Sequence, residues 1–267
     1  MRVSEDADQV EDAFRRVRPM GLLTSRTPAI DEATGYAIAA EIHRRRRAEG
    51  AVVVGRKIGF TNRTIWATYG VWDPIWAYVY DRTTTAWTTA EPEVTIGGLS
   101  EPRIEPEIQL CFAQAPPPGG DEEAILACAE WVALGFELVQ SPFADWNFRA
   151  PDAIAACSLH GHLVLGAPVT VNDPAACAAA LREFDVILVC DGAQRATGRG
   201  SDVLDSPVLA VRHLMSVLAE QNAAPIAAGE IISTGTLTDA LPVRPRERWS
   251  AHAHGIDLAS PSLRLLA

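Results

Sequence analysis

Apolar and polar positions divide the chain into two regimes. Val10, Phe14 and Val17 recur at helical spacing within residues 5–17, and Pro19 closes the run, so the pattern predicts a first helix. Residues 31–50 open on Asp31 and Glu32 and end on Arg44 to Arg47 and Gly50, the charge order of a second helix. After Gly50 the period shortens. β-Branched stretches separated by Gly and Pro predict strands at Ala51–Val54, Ala77–Tyr80, Ile104–Phe112, Leu163–Leu165, Val186–Cys190 and Ile231–Ser233. Two helices are expected among them. One covers residues 121–133, with Leu126, Ala129 and Val132 inward, and the other residues 205–221, with Val208, Val211, Leu214, Met215 and Leu218 inward. Phe136, Leu138 and Val139 instead mark residues 135–139 as a buried strand. The expected architecture is α+β, a helical N-terminal segment over residues 1–50 followed by a β-rich domain over residues 51–267.

Composition narrows the partner. A net charge of -11 argues against a surface for nucleic acid or anionic lipid. No apolar run approaches the roughly 20 residues of a membrane span. The opening Met1-Arg2-Val3-Ser4-Glu5-Asp6 lacks the apolar stretch of a signal peptide, so a cytoplasmic location is expected. Cys111, Cys128, Cys157, Cys177 and Cys190 are odd in number, scattered and free of any CxxC pair, which fits reduced core residues. Asn62-Arg63-Thr64 is a glycosylation sequon that has meaning only in a secreted chain.

Candidate chemistry centres on Arg103-Ile104-Glu105-Pro106-Glu107-Ile108. On a strand, Glu105 and Glu107 share one face about 7 Å apart. Glu137, inside its apolar segment, is a third carboxylate drawn inward. Buried anions at this spacing need a cation, and an all-oxygen ligand set suits Mg2+ or Mn2+ better than zinc. The competing reading is an edge strand whose glutamates face water, which Pro106 would suit because it cannot donate to a ladder. Lys57, in the apolar setting Gly55-Arg56-Lys57-Ile58-Gly59, is either a surface lysine or a group whose burial lowers its pKa toward proton transfer.

Gly55-Arg56-Lys57-Ile58-Gly59, Tyr69-Gly70-Val71, Arg103-Ile104-Glu105-Pro106-Glu107, Leu134 to Val139, Asp145-Trp146 and Gly198-Arg199-Gly200-Ser201 occur in an order that resembles one family. It is the 2-keto-4-pentenoate hydratase/4-oxalocrotonate decarboxylase family of the fumarylacetoacetate hydrolase superfamily. The resemblance runs from about residue 30 to Ala251–Ile256. It implies a mixed β-roll around a divalent-metal site, in enzymes that degrade aromatic compounds. It also implies Glu105, Glu107 and Glu137 as metal carboxylates and Lys57 as the active-site lysine. Thr234 and Gly235 match a turn that faces the substrate, although a plain Gly turn closing a strand explains them equally well.

The chain departs from that pattern twice. Ile75 stands where hydratases of the family carry an aspartate, and Leu159 where they carry a serine. His160 is a candidate replacement acid or base, and Arg56 and Trp76 are candidate substrate contacts. The pairs His160/His162 and His252/His254 lack a third ligand of zinc type and read as structural. The expected activity is a metal-dependent lyase, hydratase or decarboxylase, acting on an unsaturated 2-oxo acid. An acylpyruvate-type C–C hydrolase and a weakly catalytic partner subunit are the alternatives. A homo-oligomer, or a complex with a related hydratase or decarboxylase, is the expected assembly.

Overall fold

The computed structural model describes residues 2–26, 28–63, 66–88 and 90–267, so the sequon's Thr64 lies outside the described residues. Its α-helices are α1 (Val3–Arg16), α2 (Glu32–Ala48), α3 (Trp66–Tyr69), α4 (Glu122–Leu126), α5 (Ala150–Ala155), α6 (Pro174–Glu183) and α7 (Pro207–Glu220). The strands are β1 (Val53–Gly59), β2 (Ile75–Tyr80), β3 (Thr84–Thr85), β4 (Glu93–Thr95), β5 (Arg103–Phe112), β6 (Ala129–Val139) and β7 (His160–Val164). They continue as β8 (Val169–Thr170), β9 (Asp185–Cys190), β10 (Ala193–Arg199), β11 (Ile231–Thr236), β12 (Leu241–Pro242), β13 (Arg248–His254) and β14 (Ser262–Leu266). A mixed sheet runs in the order β2-β1-β11-β5-β6-β7-β3, with β12 added on β5 and β8 on β6. A second sheet runs β10-β9-β13-β14-β4. This is the expected α+β class.

One apolar core joins the sheets. Ile104, Ile108, Leu110 and Phe112 on the inner face of β5 meet Phe136 and Leu138 of β6, Leu188 of β9, Trp249 of β13 and Leu214 of α7. Period two in β5 therefore sends Ile104 and Ile108 to the core and Arg103, Glu105 and Glu107 to the opposite face. A smaller core holds the N-terminal helices down. Val10, Leu23, Ile38 and Ile42 pack with Ala77, Val139, Phe143 and Ile154. Gly35 permits the closest approach, since a Cβ there would lie 2.8 Å from the Pro151 carbonyl of α5. Among the described residues, no helix is long and apolar enough to cross a membrane.

The helix predicted over residues 121–133 is corrected. Asp121 caps α4 by accepting from the Ala124 N–H, but the helix ends at Leu126 and β6 begins at Ala129. Residues 131–133 pair with Cys111, Leu110 and Gln109 of β5, and this ladder overrides the local helical preference of an Ala-rich run. The edge-strand reading of Glu105 and Glu107 is excluded as well, because β5 lies between β11 and β6. Its Pro106 sits beside an irregularity in β11, where register slips between Ser233 and Thr236.

Candidate functional site

Three neighbouring strands assemble the site. The β5–β6 register sets Glu105 directly opposite Glu137, and Glu107 follows on the same face. Glu105, Glu107 and Glu137 each offer an oxygen within 4.8 Å of the others. Glu107 and Glu137 are fully buried, and Glu105 is half-buried in the wall of a cavity of about 390 Å3. The bulge in β11 turns two donors onto Glu107. Ser233 Oγ donates to its Oε2 at 2.5 Å and the Gly235 N–H to the same oxygen at 3.1 Å. Gly235 reaches this position at φ +100°, a conformation that favours glycine.

Glu137 is held from two sides. Its Oε1 lies 2.7 Å from His160 Nδ1, and its Oε2 is ion-paired with Lys57 Nζ at 3.0 Å. Lys57 Nζ also donates to the Ser158 carbonyl at 3.1 Å. Cys157, Ser158 and Leu159 take φ of 53°, 50° and 61°, three consecutive non-glycine residues in the left-handed region. That conformation is unfavourable by about 1–2 kcal/mol per residue. It is held in place by Ser158 Oγ donating to the Trp76 carbonyl at 2.8 Å and by the Leu159 carbonyl accepting from the Gln140 N–H at 2.9 Å. The strained turn thereby fixes the oxygen to which Lys57 is anchored.

Charge balance in the cluster favours a cation. Burial pushes Glu105 up to about 7, against the pull of Lys57 and with the push of Glu137. Burial, then Glu137 and Glu105, carry Glu107 well above the usual carboxylate range. Glu137 also feels burial, but Lys57 and His160 beside it bring it below that range. For Lys57 the expectation is corrected. Burial does oppose its charge, yet Glu137, Glu105 and Glu107 outweigh burial and raise the ammonium pKa in the metal-free protein.

Buried Glu107 Oε1 has no hydrogen-bond partner, and buried Glu137 Oε2 faces only the Lys57 ammonium. Together with Glu105 they form an all-carboxylate donor set that fits a hard divalent cation such as Mg2+ or Mn2+. Protons on Glu105 and Glu107 compete with such an ion. Mg2+ affinity is therefore expected to fall as pH drops through 7, by about tenfold per unit for each proton displaced. Calorimetric titration with Mg2+ between pH 6 and 8 checks this, and a pH-independent affinity would contradict it.

Strand parity separates the remaining candidates. Ile75 and Leu159 both line the cavity, together with Val139, Phe60, Tyr69 and Phe148. Arg56 and Trp76, one residue from Lys57 and Ile75, point the other way. Arg56 pairs with Glu230 at 3.1 Å and donates to the Ala224 carbonyl, while Trp76 donates to Gln221 and lines a separate cavity under α2. Thr234 is turned back to the Ile108 carbonyl, and Gly235 serves Glu107 through its backbone. Neither lines the cavity; Thr236 does. His160, the candidate acid or base, faces Glu137 and does not line the cavity. Its Nε2 is engaged by Thr83 Oγ1 at 3.0 Å and its Nδ1 by Glu137, so neither nitrogen is open to the cavity. His162 pairs with Thr85 and His252 with Ser250 and Ser260, in line with structural roles.

Sequence reasoning missed Ser233 and Arg103. Arg103 lines the cavity with its guanidinium 4.2 Å above the Trp146 ring. Its place two residues before Glu105 was the available signal.

The fold and the carboxylate cluster define the class. The chain has the fold of the fumarylacetoacetate hydrolase superfamily, which it shares with solved structures of that kind. No family model matches the sequence. The chain is 30% identical over 254 residues to a 4-oxalocrotonate decarboxylase from a Pseudomonas species, covering 92% of this chain and 91% of the relative. It is 29% identical over 259 residues to the 2-hydroxyhexa-2,4-dienoate hydratase of Comamonas testosteroni, covering 97% and 96%. A solved 4-oxalocrotonate decarboxylase from Pseudomonas putida G7, complexed with magnesium and adipate, superposes with a TM-score of 0.89 at 28% identity over 99% of this chain and 97% of that one. The chain belongs to the family of 2-keto-4-pentenoate hydratases and 4-oxalocrotonate decarboxylases. It is accordingly an enzyme of the lyase type.

Proposed function

We propose that this lyase cleaves carbon dioxide from an unsaturated 2-oxo diacid of the 4-oxalocrotonate type, in the degradation of aromatic compounds. Glu105, Glu107 and Glu137 would hold a divalent cation, which when bound supplies Lewis-acid charge to the carboxylate and carbonyl oxygens of a 2-oxo acid. Lys57, ion-paired with Glu137, places its ammonium in the wall of the same cavity. When the bond to the departing carbon dioxide breaks, its electron pair runs along the conjugated chain to the C2 oxygen, where positive charge stabilises it. Ser158 and the strained turn around it hold the ammonium in place, and His160 holds Glu137.

The observation that favours decarboxylation is the pair Ile75 and Leu159 in the cavity wall. Water addition needs polar groups to orient and deprotonate the nucleophile. Ile75 and Leu159 offer none at their positions, whereas loss of carbon dioxide needs no positioned water. Arg103 is a cation available to an anionic substrate. The test is turnover of 4-oxalocrotonate and of 2-hydroxypenta-2,4-dienoate with Mg2+ and after EDTA. Metal-dependent carbon dioxide release from the first, with slow loss of the second, is expected. Efficient hydration of the dienoate without carbon dioxide release from 4-oxalocrotonate would overturn the reading. We further propose a homo-oligomeric state and a cytoplasmic location, the latter supported by five free cysteines.

A further inference from the structure

Thr61 lies just beyond the end of β1, in the wall of the cavity that holds Lys57 and Glu105. It is 1% exposed, yet its Oγ1 has no hydrogen-bond partner among the described residues. Buried hydroxyls are normally paired, because leaving one without a partner is unfavourable. The side chain is packed on one side. It rests on Gly235, where a Cβ would come within 2.0 Å of Thr61 Oγ1 and 2.7 Å of its Cγ2. Gly235 is also the residue whose N–H holds Glu107. The backbone is fixed too, with the Thr61 carbonyl accepting from the Leu204 N–H at 3.0 Å.

We propose that the Thr61 hydroxyl is a preformed hydrogen-bond donor to an anionic oxygen of the bound 2-oxo acid, a substrate contact distinct from the carboxylate cluster. The glycine at 235 then has two functions. It adopts the positive-φ backbone that aims its N–H at Glu107, and its bare Cα leaves space for the threonine. The chemistry is that of a hydroxyl donating to a carboxylate or enolate oxygen, a charge-assisted bond stronger than a neutral one. The proposal rests on the 2-oxo acid reading of the same cavity.

Thr61→Val replaces the hydroxyl by a methyl group of nearly the same shape, and Thr61→Ser retains the hydroxyl. The experiment measures three quantities for each protein: thermal unfolding without metal, Mg2+ affinity by calorimetry, and affinity of the Mg2+-loaded protein for oxalate, a mimic of the carboxylate–carbonyl pair. Thr61→Val is expected to unfold at the wild-type temperature or above, because no bond in the free protein is lost. It should bind Mg2+ within twofold of wild type and oxalate about tenfold or more weakly. Thr61→Ser should recover most of the oxalate affinity. Unchanged oxalate binding in Thr61→Val would overturn the proposal, as would a fall in unfolding temperature beyond about 3 °C, which would show a structural hydroxyl. A parallel loss of Mg2+ affinity would also overturn it, by making Thr61 part of the cation site. Failure of the wild-type protein to bind Mg2+ would instead strike the 2-oxo acid reading itself, and this proposal with it.

Discussion

Glu107→Gln is expected to lower turnover by at least about a thousandfold and to leave the protein folded, with an unfolding temperature in the absence of metal equal to or above that of wild type. The two halves follow from one geometry. Glu107 is fully buried, and burial with two neighbouring carboxylates makes its charge unfavourable in the metal-free protein. A glutamine keeps an oxygen for Ser233 Oγ and the Gly235 N–H and turns its amide toward Glu105 and Glu137 as a donor. Loss of one of three anionic ligands removes the compensation a divalent ion requires, and with it the electrostatic stabilisation that dominates such reactions. Steady-state turnover with saturating Mg2+, read beside thermal unfolding, checks both halves. Near wild-type turnover would remove Glu107 from the site.

Lys57→Met reverses the stability effect. The metal-free variant leaves Glu137 buried without its 3.0 Å cationic partner, and breaking a buried pair in this way destabilises by about 3–5 kcal/mol. Added Mg2+ should restore much of that loss, because the ion supplies the positive charge the variant lacks. Metal affinity should hold or rise, since the ammonium competes with the cation for the same carboxylates. Turnover should fall by about a hundredfold or more, the usual contribution of a positioned proton donor or charge. Thermal unfolding with and without Mg2+, together with turnover, separates these effects. A variant with wild-type turnover would make Lys57 a structural cation alone.

The pair of variants also marks how far the sequence could be read. Glu105, Glu107 and Glu137 were legible because burial and like charge leave few alternatives for carboxylates on one strand face and in an apolar segment. Period two carried most of that inference. The same period, pressed further, separates Lys57 from Arg56, Ile75 from Trp76, and Ser233 from Thr234, since neighbours in a strand face opposite ways. Arg56, Trp76 and Thr234, read as substrate contacts from proximity in sequence, do not line the cavity because parity turns them away. The raised pKa of Lys57 was not legible, because its sign depends on how close three carboxylates come in space. The strained turn at residues 157–159 carries no glycine to announce it. The extent of β6 depended on pairing with β5, a contact that local preference cannot supply.

One divalent cation is expected among Glu105, Glu107 and Glu137. Mn2+ titration followed by electron paramagnetic resonance at pH 8 counts bound ions directly. One tight site per chain is expected in the wild-type protein and none in the folded Glu105→Gln, Glu107→Gln double variant. No tight site in the wild type, or an equal one in the double variant, would contradict the assignment.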